Sequence, residues 1–174
     1  MKTKEVVAWL PDQAFVQAVS SLPLVSVDLV VVNPAGQLLL GLRRNAPARG
    51  WWFTPGGRVR KNESVADCLE RVALSELGVP FDRLRANGEG LNAKSCLMGV
   101  WDHFYEDSAF SAEVSTHYVN LPHVLRLDQA LDLDALPTEQ HSSWRWQAAQ
   151  EAAVADVVHP YVRLYAQWVV EHVL

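Results

Sequence analysis

The sequence predicts a mixed β-sheet flanked by helices. Two observations predict it. Apolar runs of strand length recur along the chain, and three or four helical stretches are interleaved with them. With 174 residues the chain is long enough for one domain with a sizeable core and short for two.

Taken in order, Asp12 can cap a short helix through Ser20, with Phe15, Val16 and Val19 as its apolar positions. Leu24 to Val32 is β-branched and dense enough for a buried strand. Asn33-Pro34-Ala35-Gly36 reads as a turn, and Gln37 to Arg43 as the paired strand. A loop, Asn45 to Gly50, leads into Trp51–Val79, the stretch around which the chain is organised. It opens with aromatics, turns on Pro55, Gly56 and Gly57, and becomes helical. Asn62 or Ser64 can cap this helix; Val65, Leu69, Val72, Ala73 and Leu77 form its apolar stripe, and Gly78 stops it. Pro80 to Lys94 reads as a loop, Ser95 to Tyr105 as a strand, and Glu113 to Leu125 as another despite Pro122. Leu127 to Pro137 is expected as a surface turn or short helix, and Ser143 to Trp146 as a short strand. Helices over Ala148–Val157 and Tyr161–Val173 close the chain.

The net charge of -5 gives no basic footprint, so no nucleic-acid partner is expected. An anionic nucleotide would need local arginines or a cation. Cys68 and Cys96 make no disulfide framework, and a reduced cytoplasm fits best. The start, MKTKEVVAWLPDQ, has no long apolar h-region. No run approaches the ~18 apolar residues of a membrane span, so no membrane partner is expected either.

Gly57, Glu63, Arg71, Glu76, Gly78 and Val79 fall at the spacing of G-x5-E-x7-R-E-U-x-E-E-x-G-U, where U is a bulky aliphatic residue. The stretch resembles the Nudix box. Val72 and Ser75 stand where the first two glutamates of R-E-U-x-E-E belong. Positions 72, 75 and 76 are related by i, i+3 and i+4, which predicts one shared helix face. One carboxylate there, Glu76, suggests a single weakly held cation completed by other oxygen donors and water. This pattern of loss is similar to one branch, the GDP-mannose mannosyl hydrolases. So are PLVSVDLVV (Pro23–Val31), LLGLRRNAPARGWWFTPGGRV (Leu39–Val59), GVWDHFYED (Gly99–Asp107), THYV (Thr116–Val119) and EQHSSWRW (Glu139–Trp146), in that family's order.

The resemblance implies a Nudix fold, an α/β/α sandwich spanning residues 1–174, and a homodimer. One arrangement places the N-terminal helix, about residues 12–20, at the dimer interface. It also implies site residues. Arg43 and Arg58 match arginines that bind the diphosphate; the chemistry agrees, because arginine suits bidentate phosphate contact. The bland alternative is two solvated surface arginines. Glu76, the backbone carbonyl of Gly56 and the side chain of Gln140 match the ligands of one Mg²⁺ (or Mn²⁺) per subunit. His141 matches the general base, a role suited to a neutral imidazole at pH 7. His103 matches a residue near the sugar and diphosphate, with a core histidine as the alternative. Tyr118 matches a phosphate-contacting hydroxyl, and Asp28 a residue near the sugar. Asp28 is also a polar residue in an apolar strand, so its burial requires a partner. Arg71 and Glu63 read as an internal ion pair, and the remaining histidines as surface or packing residues. Trp51 or Trp144 are candidates for reading the base.

Water can attack phosphorus, as in typical Nudix enzymes, or the anomeric carbon. The resembled branch takes the second route. The expected reaction is hydrolysis of GDP-mannose, or GDP-glucose, to GDP and free sugar with inversion. Ordinary pyrophosphohydrolysis of a nucleotide or nucleotide-sugar is the alternative. A catalytically silent nucleotide-sugar sensor is a third reading, which the lost glutamates favour.

Overall fold

In the computed structural model of the chain, residues 10–81 and 97–174 are described. The Pro80–Lys94 loop therefore lies outside the described residues from position 82 onward, as does Cys96. Strand β1 (Leu24–Val32) and strand β2 (Gln37–Arg43) match the predicted hairpin. Its turn is held by Asn33, whose Oδ1 accepts from the amides of Ala35 and Gln37. Gly36 takes φ 73° there, a region that suits glycine.

The two strands pair at Val32–Leu38 and then part. The gap receives β3 (Trp52–Phe53), which pairs with β2, and β4 (Gly56–Arg58), which pairs with β1. The glycine turn thus forms a wedge in the sheet. On the other side of β1, β6 (Thr116–Arg126) runs parallel, and β5 (Trp101–Tyr105) is antiparallel to β6. Strand β7 (His141–Ala148) pairs antiparallel with β2. The result is a mixed seven-stranded sheet.

Alternation along the strands builds two cores. Val27, Leu29, Val31 and Leu39 pack against Leu69 and Val72 of α2 (Val65–Val72). Val30, Val32, Leu38 and Leu40 pack beneath α3 (Ala149–Ala152) and α4 (Pro160–His172), against Ala149, Val162, Ala166 and Val169. Helix α1 (Asp12–Val19) buries Phe15 and Val19 outside these two clusters. The predicted sheet flanked by helices is what the chain forms.

Several expectations are corrected. Asp12 lies in the first turn of α1, and Pro11 takes the N-cap position without a side-chain cap. Of the two caps expected for α2, Asn62 or Ser64, it is Ser64 that caps, in a capping box with Asp67. Of the strand expected from Ser95, positions 95 and 96 lie outside the described residues, Leu97 forms only an isolated bridge to His123, and regular pairing begins at Trp101. The helix expected over Ala148–Val157 ends at Ala152, while the strand before it is longer than Ser143–Trp146. Backbone beyond α3 is taken by β3 instead: the Trp52 amide donates to Val157 O, and the His159 amide to Trp52 O. Pro160 then starts a new helix, its missing N–H harmless at the first turn. Pro122 is tolerated inside β6, where its carbonyl accepts from the Met98 amide.

Candidate active site

On the face covered by α4, the strands change character along their length. Beside the apolar Val30 and Val32, β1 presents Ser26 and Asp28. Ser26 pairs with Asn120 on β6, Asn120 with Trp101 on β5, and Tyr118 with His103, so the period of two carries all these residues on one face. Ser26, Asp28, His103, Tyr105, Tyr118 and Asn120 line a cleft. Arg43, Pro47, Phe53 and the Gly56–Arg58 wedge, whose Arg58 pairs directly with Ser26 across the sheet, complete the lining.

Both arginines predicted from sequence face this cleft. Arg43 leaves the end of β2, and its Nε donates to Pro47 O at 3.1 Å. Arg58 lies over the ring of Phe15, with its guanidinium carbon 4.4 Å from the centroid. Phe15 meets Phe110 edge to face at 5.3 Å, so α1 supports Arg58 within its own chain. Partial burial lowers the Arg58 pKa, so the pocket favours an anion that restores the balance.

The wedge needs its glycines. A Cβ on Gly56 would lie 2.1 Å from Asp28 Oδ1, and one on Gly57 2.8 Å from Val72 Cγ2. Arg71 binds Glu63 through two hydrogen bonds, Nε to Oε1 at 2.6 Å and Nη2 to Oε2 at 2.8 Å. The same Nη2 donates to Arg58 O at 2.9 Å. The expected ion pair is present, and it clips α2 to the wedge.

The box helix departs from expectation at the critical place. After Val72 it widens into a π-turn, Ala73–Leu77. Such turns break the i, i+3, i+4 alignment. Ser75 is exposed, whereas Val72 and Glu76 are buried. The predicted common face of 72, 75 and 76 is therefore split. Glu76 Oε2 accepts from the Gly56 amide at 3.2 Å. Burial raises its pKa to about 7, and the Arg43 charge opposes the rise.

His141 lies beside Glu76, with Nδ1 3.8 Å from Oε2. It is 0% exposed and does not line the cleft. Gly41 admits the ring, since a Cβ there would sit 2.5 Å from it, and Trp144 covers it at 4.4 Å between centroids. Burial lowers the His141 pKa to about 3, so the ring is neutral and the pair is no ion pair. Both ring nitrogens lack a hydrogen-bond partner. Gln140 goes elsewhere. Its Oε1 accepts from Asn45 Nδ2 at 2.9 Å, and its carbonyl from the Arg44 amide, which ties it to the loop after β2. The side chain is exposed there, and no described contact joins it to Glu76.

Asp28 is buried beneath a network the sequence did not signal. Tyr165 of α4 donates to its Oδ2 at 2.8 Å. The same hydroxyl lies 3.0 Å from His103 Nε2 and 3.0 Å from Asn120 Oδ1. Asn120 in turn donates to Ser26 Oγ at 2.8 Å. Burial raises the Asp28 pKa to about 7 and lowers that of His103 to about 3. His103 stacks on Tyr161 at 3.9 Å. Ser26, Tyr105 and Asn120 share the period-two positions of Asp28, His103 and Tyr118, and that alternation would have found them. Nothing in the local sequence marks Tyr165.

The family model of the NUDIX domain matches residues 22–168. The chain belongs to the Nudix family. It is 39% identical to the Low-salt glycan biosynthesis protein Agl8 of Haloferax volcanii, over 90% of this chain and 88% of that protein. It is 26% identical to the oxidized purine nucleoside triphosphate hydrolase of Danio rerio, over 66% of this chain and 70% of that one. Among solved structures, the MutT NUDIX hydrolase of Burkholderia pseudomallei superposes with a TM-score of 0.61 at 22% identity, covering 86% of this chain and 99% of that one. The match supports Nudix hydrolase activity, and the Nudix family binds nucleotide-derived substrates. No described helix is long and apolar enough to cross a membrane.

Nudix hydrolases generally use a divalent metal such as Mg²⁺. Among the described residues, no three of His, Cys, Asp and Glu are grouped to hold a metal. Glu76 fits a cation nonetheless. Its carboxylate is nearly covered, has no arginine or lysine in salt-bridge contact among the described residues, and faces the unpartnered nitrogen of His141.

Proposed function

We propose that this Nudix hydrolase cleaves a GDP-linked hexose, GDP-mannose or GDP-glucose, to GDP and free sugar by attack of water at the anomeric carbon with inversion. The supporting observation is the mixed lining of one cleft, which brings Arg43 and Arg58 together with Ser26, Asp28, His103 and Asn120. The two arginines suit a diphosphate. The other four, which mix donors and acceptors without a cation of their own, suit neutral hydroxyls. The loss of carboxylates at Val72 and Ser75 agrees with a route that asks less of the metal. The glycan-biosynthesis relative agrees with sugar chemistry.

In this reading, the oxygen of water bonds to the anomeric carbon while the bond to the phosphate oxygen breaks. Arg43 and Arg58 neutralise the departing diphosphate. Glu76 and the Gly56 carbonyl would hold Mg²⁺, which would supply charge stabilisation to the leaving diphosphate. Gln140 joins that site only by leaving Asn45. His141 takes the proton of the attacking water; burial keeps the sealed ring neutral but makes it a weak base, so the role requires that the ring be rehydrated. Substrate binding must then admit water to its ring. His141→Gln should lower kcat about 10²–10⁴-fold; full activity with an unchanged pH–rate profile would remove it from the role.

The seal over His141 favours a second reading, ordinary attack on phosphorus without this base. Hydrolysis of GDP-mannose with Mg²⁺ in ¹⁸O-labelled water separates the two. Label in free mannose with unlabelled GDP supports attack at carbon. Label in GMP or mannose 1-phosphate overturns it in favour of attack at phosphorus. Binding without turnover would identify a sensor.

A further inference from the structure

Helix α4 otherwise buries hydrocarbon against the sheet, yet one polar atom on its buried face reaches three strands. The Tyr165 hydroxyl lies 2.8 Å from Asp28 Oδ2 on β1, 3.0 Å from Asn120 Oδ1 on β6 and 3.0 Å from His103 Nε2 on β5. The side chain is 0% exposed, so it does not line the cleft itself. All three partners do. We infer that Tyr165 is a positioning residue, which sets Asp28, His103 and Asn120 as one rigid wall for the hydroxyl-bearing sugar half of the substrate.

A hydroxyl has one proton and two lone pairs. This one donates to one of the two oxygens, Asp28 Oδ2 or Asn120 Oδ1, and accepts from His103 Nε2–H. All three contacts are hydrogen bonds together when the Asp28 carboxyl is protonated. Without it, each of the three rotamers loses a constraint at once. The effect extends further, because Asn120 also orients Ser26 through a 2.8 Å hydrogen bond. The two arginines have supports of their own. Arg43 bonds Pro47 and Arg58 rests on Phe15, and neither touches Tyr165 in any described contact. Tyr165 therefore acts first on the polar groups assigned to the sugar, while Arg43 and Arg58 keep their own supports. The inference rests on the functional reading above, in which this wall faces the sugar.

The test is Tyr165→Phe, which keeps the ring packed against Trp101 at 5.0 Å and removes only the hydroxyl. Turnover of GDP-mannose should fall about 10²-fold in kcat/KM, the scale of a small misplacement of a reacting group. Discrimination between GDP-mannose and GDP-glucose should narrow. The Kd for GDP with Mg²⁺ should stay within about twofold of wild type, a split that general loosening of the fold would not produce. Unchanged kcat/KM and sugar preference would overturn the inference, as would a parallel loss of GDP affinity. Where the variant does not fold, the wild-type Tyr165 hydroxyl proton decides by NMR. A slowly exchanging resonance that shifts with GDP-mannose and not with GDP supports the role; no such difference overturns it. Wild-type enzyme that neither binds nor cleaves GDP-mannose sinks the functional reading and this inference with it. Normal wild-type turnover with an indifferent Tyr165→Phe enzyme sinks only the inference.

Discussion

The two faces of the sheet treat polar side chains in opposite ways. Under α2 the packing is hydrocarbon almost throughout: Val27, Leu29 and Val31 meet Leu69, Val72 and Leu77, and Glu76 is the carboxylate admitted beside them. Under α4 the same strand changes from Val30 and Val32 to Ser26 and Asp28. A Nudix box with three glutamates concentrates its charge on the helix. Here Val72 is 1% exposed and fills the core against Gly57, while Ser75 turns to solvent. The polar groups are found on the strands instead. A helix face stripped of carboxylates can pack as core, and the open end of the sheet face is then where a cleft with converging polar groups forms.

The largest expected effect tests the cleft side. Arg43 is the cation whose charge opposes the raised pKa values of both Asp28 and Glu76. Arg43→Met should lower kcat/KM for a nucleotide-sugar by about 10²–10³-fold, the scale of one lost donor to developing negative charge. A change below about threefold would mean that the cleft is not where the diphosphate sits.

The next effect tests the core side. Val72→Glu restores the box residue but places a carboxylate against the wedge. Thermal unfolding without Mg²⁺ should show a loss on the order of 3 kcal/mol, because a buried charge would lack a partner. Saturating Mg²⁺ should recover about 2.7 kcal/mol at 100 times its Kd. No loss in the absence of metal would show that position 72 already reaches water, and the contrast between the faces would weaken.

The smallest effect concerns the clip between them. Hydrogen bonds from Arg71 hold the Glu63 pKa below the usual carboxylate value of 4.5. A lowered folded-state pKa means that stabilisation is fully present above the unfolded value and lost as pH falls through the folded one. Denaturant titrations of wild type and Glu63→Gln should therefore differ on the order of 1 kcal/mol at pH 7, a figure kept low by solvent screening. The difference should shrink below pH 4.5. A constant gap at all pH values would show that the pair is not what ties α2 to the wedge.

Much of this was legible in the chain itself. The strands Leu24–Val32 and Gln37–Arg43 form with the bounds read from their residues, because a dense β-branched run and a turn headed by asparagine are local signals. Arg71 and Glu63 pair as expected, and Arg43, Arg58, Asp28, His103 and Tyr118 share one cleft. Long-range packing decided the rest. The π-turn at Ala73–Leu77 separates Ser75 from Glu76, which ideal helix spacing cannot foresee. The absence of a side chain at Gly41 lets His141 sink out of the cleft, and that depends on register between β2 and β7. Tyr165 meets Asp28 across 137 positions of sequence. Periodicity determines which face a residue takes within its own element. Which polar atoms then converge depends on how separate elements dock, and only the tertiary structure contains that information.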